Sequence, residues 1–205
     1  MKTYEVRFFS GQPGNYLSSK DWEQANLLAD FSYPWREEIA NGTQFRALHD
    51  ADYLYFRFEV IDHELVAAEE PAGKMAVAQS DRVELFFRKN TAMTPYYCLE
   101  MDWKGRLLDN SAHYHRQMDY QWNWPGGLTF QSTRIHQGYR VEGALSKTIL
   151  KKLGVLKDHI IETGIFRADY QTIPEAQVKW ISWVAPDSPT PDFHIPSAFG
   201  ILNLI

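Results

Sequence analysis

Over Tyr53-Leu-Tyr-Phe-Arg-Phe-Glu-Val60 every second residue is aliphatic or Phe: Leu54, Phe56, Phe58 and Val60 alternate with Tyr53, Tyr55, Arg57 and Glu59. An extended chain points successive side chains to opposite faces, so this period of two predicts a half-buried strand and is incompatible with an amphipathic helix. Similar runs occur at Tyr4–Phe9, Thr43–Leu48, Arg82–Arg88, Tyr96–Asp102, Leu128–Arg134, Tyr139–Leu145, Ile160–Tyr170, Lys179–Val184 and Phe199–Leu204. Turn-forming residues separate them at Asp50-Ala-Asp52, Trp103-Lys-Gly105, Gln137-Gly138 and the prolines of 186–196. Helical signal is sparse. Ser146–Gly154 reads as one short helix with Ser146 as its N-cap and Gly154 as its stop, and 62–76 has room for another turn or two.

About ten short strands with one or two short helices predict an all-β fold, an antiparallel β-sandwich. No linker or repeat divides residues 1–205, which read as a single domain. The Pro-bearing stretches 110–127 and 185–198 are expected to be loops that cover one end or face of the sandwich.

Composition narrows the function. With 44% hydrophobic and 23% charged residues the chain has the balance of a globular protein, not of a disordered polymer. A net charge of −5 with no basic run argues against nucleic-acid binding. No apolar stretch approaches the roughly 18 residues of a membrane span. Glu5 and Arg7 interrupt any signal-peptide core, so the chain as written is expected to be cytoplasmic, or extracellular if a leader has been removed. Cys98 is the sole cysteine and sits within a strand pattern, which excludes an internal disulfide. Aromatics reach 15%, with 7 Trp and 11 Tyr, side chains whose apolar body and polar tip suit a binding surface.

Several strands carry an Arg and a carboxylate two residues apart: Arg57/Glu59, Arg82/Glu84, Arg140/Glu142 and Arg167/Asp169, joined by Glu100/Asp102. That spacing puts both members on one face of a sheet, here the face expected to lie away from the core. A hairpin that sets Arg88 opposite Tyr96 also sets Glu84 opposite Glu100 and Arg82 opposite Asp102. Opposed residues have Cβ atoms about 4.5–5.5 Å apart, so the two glutamates would repel unless an Arg, a cation or sugar hydroxyls supply donors. A plain solvated ion-pair ladder is the competing explanation, and Arg57 and Glu142, with no aromatic near them in sequence, fit it best.

The chain resembles the family 9 carbohydrate-binding modules. The resemblance runs through Thr43–Asp62, Ser80-Asp-Arg-Val-Glu-Leu-Phe-Phe87, Tyr139-Arg-Val-Glu-Gly-Ala-Leu145, Trp180-Ile-Ser-Trp183 and the final strand after Phe199-Gly200. Trp22 and Ala25 fit the same scheme, and Asp192-Phe-His-Ile-Pro196 resembles a stand-alone branch of it. The resemblance implies non-catalytic binding of an oligosaccharide or polysaccharide chain end. By that likeness Trp183 is the platform on which a sugar ring stacks, and Glu84 contacts its hydroxyls. Glu100, Arg82 and Arg167 are expected to complete the site, with Asp169 orienting Arg167. Two departures stand out: Ala78 falls where the family places a second Trp, and Glu100 where it places a basic residue. Trp103, Trp122 and Trp124 are candidate replacement platforms. The family also carries structural calcium. Here Asp50, Asp52 and Asp62 are the nearest candidates, and no cofactor is required.

Two other readings compete. Glu84 and Glu100, if opposed, approach the carboxyl separation of a retaining glycosidase, about 5–5.5 Å, although flanking Arg residues would lower the pKa that such an acid needs raised. Met101, Met118, His113 and His115 are the residues with which a haem- or metal-binding sandwich would have to work.

Overall fold

The computed structural model describes residues 1–11, 16–38, 40, 42–69, 73–171 and 178–205. Of the helical turn expected within 62–76, residues 70–72 lie outside these; a 3-10 turn occupies Gly73–Gln79.

The fold is all-β, but not as two separate antiparallel sheets. Its strands form one 13-stranded curled sheet. One half runs β7 (Gln117–Asp119), β6 (Leu107–His113), β5 (Tyr96–Asp102), β4 (Arg82–Arg88), β11 (Ile160–Tyr170), β13 (Gly200–Leu204) and β1 (Thr3–Phe8). The other continues from β1 through β2 (Thr43–His49), β3 (Tyr53–Ile61) and β9 (Gly138–Ser146) to β8 (Leu128–Ile135). Strands β10 (Leu156–Lys157) and β12 (Val178–Ser182) attach to β11.

Strand β1 joins the halves because it changes partner midway. Thr3–Val6 pair with Ile201–Leu204, then Arg7 and Phe8 pair with Leu48 and His49, both in parallel, whereas the other pairings are antiparallel. A strand shared in this way lets the sheet curl until its two halves face each other over one core. Val83, Leu85 and Phe87 of β4 and Leu99 and Met101 of β5 meet Phe45, Phe56, Phe58, Val141 and Leu145 from the other half. Each such side chain, taken fully out of water, contributes roughly 1.5–3 kcal/mol.

The period-two pattern locates most strands, and β4, β5 and β11 fall on their expected residues. The opposition of Glu84 with Glu100 and of Arg82 with Asp102 is also found. The end of β6, from Asn110, and all of β7 lie within 110–127, where a loop was expected. In β6, Leu-Leu-Asp-Asn-Ser-Ala-His lacks alternation because polar Asp109 and Asn110 are buried within it. Asp109 is tolerated there because it accepts the Trp124 amide at 2.6 Å and an ion pair from Lys74 at 3.1 Å.

The first short helix, α1 (Ser19–Trp22), starts with a reciprocal capping box between Ser18 and Asp21. The helix expected after Ser146 is α2 (Lys147–Lys152); Ser146 occupies the N-cap position without a side-chain capping bond, and Gly154 ends the segment at φ +72°. Across β3 and β9 the ladder pairs strand to strand: Arg57 binds Glu142 and Arg140 binds Glu59. Arg57 also covers the Trp22 ring at 4.7 Å, so this ladder braces the second half of the sheet.

Candidate functional site

The outward face of β4 presents Arg82, Glu84 and Phe86, while Val83, Leu85 and Phe87 point into the core. On β12, Trp180 pairs with Ala168 of β11, which pairs on its other side with Arg82. Trp180 therefore projects on the same side as Arg82, across a residue too small to separate them, and its ring centroid lies 5.6 Å from the guanidinium carbon.

Two excursions wall this face. The β6–β7 hairpin contributes Arg116, Met118 and Tyr120, and the 185–198 loop contributes Asp192, Phe193 and His194. Phe193 stacks flat on Phe166 of β11 at 4.1 Å and meets Trp180 edge-on at 5.7 Å. Trp35 leans on Phe193 and donates its indole N–H to the Ser188 carbonyl at 2.8 Å. Together they enclose a hollow of about 430 Å³, within the usual range for a small-ligand site.

At its base Arg82 holds two carboxylates. Its Nε donates to Glu100 Oε2 at 2.7 Å and lies 2.9 Å from Glu84 Oε1, while Nη1 donates to the Ala78 carbonyl at 2.9 Å. Glu84 Oε1 is off the N–H direction and has no hydrogen-bond partner among the described residues. Burial raises the pKa of both glutamates. Arg82 opposes that rise in each, and in Glu84 the Glu100 charge adds to it. Arg82 was expected to pair with Asp102; instead Asp102 accepts the Lys104 and Arg106 amides and binds the Arg106 side chain at 2.6 Å, closing the turn after β5.

Asp192 ties the two walls together. It accepts from His115 Nε2 at 2.8 Å, Arg116 Nη2 at 3.0 Å and the His194 amide at 2.9 Å. Burial alone would raise its pKa, but these donors hold it below the ordinary carboxylate range. His194 contacts the Tyr96 hydroxyl through Nδ1 at 3.0 Å and packs beside Phe86. Burial, reinforced by the Arg116 charge, pushes its pKa down to about 3.

Both shifts have the same sign in the folded state. The unfolded imidazole gains its proton near pH 6.5 and the folded one only near 3, so stability is lost as pH falls through that window. Asp192 adds to the loss below the ordinary carboxylate pKa. Acid titration to pH 3 is expected to release the 185–198 loop before the core melts. Trp35 and Trp180 fluorescence should change while far-ultraviolet circular dichroism persists, and a His194→Gln variant should flatten the upper part of that titration.

Three of the expected site residues are elsewhere. Trp183 is 1% exposed, in the core, and its ring packs on Gly200, where a Cβ would come within 2.5 Å of it. It cannot offer a face to a sugar. Alternation along β12 explains this: Trp180 shares the face of Arg82, and Trp183, three residues on, has the parity of core residue Ile181. Arg167 pairs in register with Val83 and Ile181 and is likewise turned inward, 2% exposed. Asp169 does lie 3.6 Å from Arg167, but the pair is on the inner side, remote from Glu84 and Glu100 in facing.

Around Arg167 stand Asp62, Asp81 and Asp169, with one oxygen of each within 4.8 Å of the others. These residues do not fit calcium, which takes six to eight oxygen ligands. Arg167 already supplies positive charge, 2.8 Å from Asp62, and the two Asp81 oxygens accept the Val66 and Tyr170 amides at 2.5 and 2.6 Å. Dialysis against a chelator is expected to leave the thermal midpoint unchanged. Asp50 is spent on the Asp52 and Tyr53 amides and the Tyr55 hydroxyl.

The other candidates also disperse. Trp124 is core, Trp122 packs beside it, and Trp103 donates to the Val66 carbonyl at 3.0 Å; none lines the hollow. Of the residues considered for haem, Met101 is in the core, Met118 lines the hollow, His113 is exposed and His115 is held by Asp192.

Residues 17–205 match the family described as carbohydrate family 9 binding domain-like. Comparison with curated proteins finds no significant match. Among solved structures, a Bacteroides uniformis ATCC 8492 protein, provisionally named as carbohydrate-binding, superposes with a TM-score of 0.77 at 15% identity, covering 100% of this chain and 99% of that one. A family 9 carbohydrate-binding module from Caldicellulosiruptor kristjanssonii in complex with glucose gives 0.63 at 17% identity, covering 100% and 96%. A family 9 module from the same organism in complex with cellotriose gives 0.61 at 16%, covering 99% and 93%. With 17–205 matched and the curled sheet reproduced along the chain, this protein belongs to the carbohydrate family 9 binding domain-like family.

Proposed function

We propose that the chain is a non-catalytic sugar-binding module and that the hollow beside Trp180 is its site. The observation that carries this is the placement of a half-buried indole next to Arg82, Glu84 and Glu100 in one open depression. A pyranose has an apolar C–H face that lies against an aromatic ring, and hydroxyls that donate to carboxylates and accept from guanidinium. Relatives of the same fold bound to glucose and cellotriose support a sugar ligand. Ala78 also lines the hollow, and Phe193 and Trp35 extend the aromatic wall.

Non-catalytic binding suits the base of the hollow. In a glycosidase the two carboxyls converge on a glycosidic bond. Here both lie within 2.9 Å of the same Arg82 nitrogen, which competes for the charge that a nucleophile or acid would use.

Calorimetric titration with gluco-oligosaccharides and with a panel of other monosaccharides tests the proposal. Trp180→Ala is expected to lower affinity at least about 100-fold, as loss of a stacking hot spot does, while the domain stays folded. Unaltered binding by that variant would refute this site. Chromatography of the incubated sugars should show no shortened products.

A further inference from the structure

The charges at the base of the hollow exceed what a neutral hexose would need. Glu84 and Glu100 stand directly opposite each other, and among the described residues Arg82 is the one cation paired with both. At the rim Arg116 is matched by Asp192, and His194 is held neutral by burial, so neither cancels the excess. Glu84 makes the excess specific. It lines the hollow and is 1% exposed, and its Oε1 meets Arg82 Nε at 2.9 Å but off the N–H direction, which Glu100 takes. Two buried carboxylates that share one guanidinium N–H are poorly paired, and a charged donor offsets that cost better than a neutral one.

A hydroxyl donates one hydrogen bond and brings no charge. An ammonium donates three and brings the missing positive charge.

We infer that the hollow selects an amino sugar, a hexose carrying a free ammonium group, with that group held at Glu84 and Glu100 and the ring set against Trp180. The inference rests on the sugar-binding reading and narrows it to a ligand class. Burial raises the pKa of both glutamates, so an ammonium that stabilises the ionised pair binds with loss of protons to the buffer and no covalent bond changes.

The test is calorimetric titration of the full chain at neutral pH with glucosamine, glucose and N-acetylglucosamine, each as monosaccharide and as β-1,4-linked dimer, with cyclohexylamine as a sugar-free amine. Repeating it in two buffers of different protonation heat counts the released proton. Glucosamine or its dimer is expected to bind at least about tenfold more tightly than the neutral counterparts, with net proton release. Glu84→Gln and Glu100→Gln, isosteric changes, should bring that preference close to parity while neutral sugars lose little. If either variant unfolds by circular dichroism, the comparison of sugars on the wild-type chain decides alone. Neutral sugars binding as well as glucosamine would overturn the inference and leave the sugar-binding reading standing. Cyclohexylamine binding as tightly as glucosamine, or no binding by any sugar, would overturn both.

Discussion

Trp183→Ala is expected to cost the fold about 3–5 kcal/mol, the range seen when a large buried aromatic is truncated and its cavity cannot collapse. The indole is fully enclosed, and the surface it packs on is backbone at Gly200, which has no side chain to move into the space. Its own amide donates to the Ile165 carbonyl at 3.1 Å and its carbonyl accepts from Lys2 at 2.7 Å, so the surrounding strands are held at fixed spacing. Chemical denaturation should show a lower midpoint with an unchanged slope. Under conditions where the variant remains folded, sugar affinity should stay close to wild type. Trp180→Ala should give the opposite profile. This pair of variants separates the two tryptophans of the Trp-Ile-Ser-Trp motif as platform and core. A Trp183→Ala protein of normal stability that has lost binding would reverse those assignments.

Arg82→Met is expected to be the second large effect, on the order of 3–5 kcal/mol, because it leaves two opposed buried carboxylates without their cation. Arg82 is itself nearly buried, and the negative charges of Glu84 and Glu100 outweigh burial to keep its pKa raised. The sign of the pH dependence follows from the glutamates. Their folded pKa values, already above the unfolded ones, rise further when Arg82 is gone. The penalty of losing Arg82 is felt only above the wild-type folded values, about 8 for Glu84. It vanishes below them, where the carboxyls are protonated with or without the guanidinium, so the loss should be larger at pH 9 than at pH 5. Adding Glu100→Gln to Arg82→Met should recover part of the stability, a coupling that a double-mutant cycle measures directly. A uniform loss at both pH values would mean that Arg82 acts through packing alone.

The β4–β5 hairpin shows how far the amino-acid pattern reaches. Strict alternation in both strands, joined by a short turn, leaves few registers that keep Val83, Leu85, Leu99 and Met101 on one face, and the one read from the pattern is the one observed. Glu84, Glu100 and Arg82 were legible for that reason. The same rule applied to β12 separates Trp180 from Trp183, since Ile181 and Trp183 share the apolar parity. Likeness to a motif favoured Trp183, which the fold buries in the core. For Arg167 the charge itself was misleading. Arg and Asp on alternate residues suggest a solvated face, yet here they face inward, where Asp62 and Asp169 neutralise the guanidinium.

The walls of the hollow were beyond any local reading. Asp192 and Arg116 are 76 residues apart, and their ion pair exists only because the β6–β7 hairpin and the 185–198 loop fold over the same strands. What the chain determines by itself is periodic: strand positions, which residues share a face, and the opposition of two glutamates across one hairpin. Tertiary structure decided that the sheet curls through β1, that Trp180 lines one hollow with the glutamates, and that Trp183 and Arg167 do not. The physical reason is that alternation specifies a side but not what will lie against it. That depends on contacts between residues far apart in sequence, whose energies have no signature within any one segment.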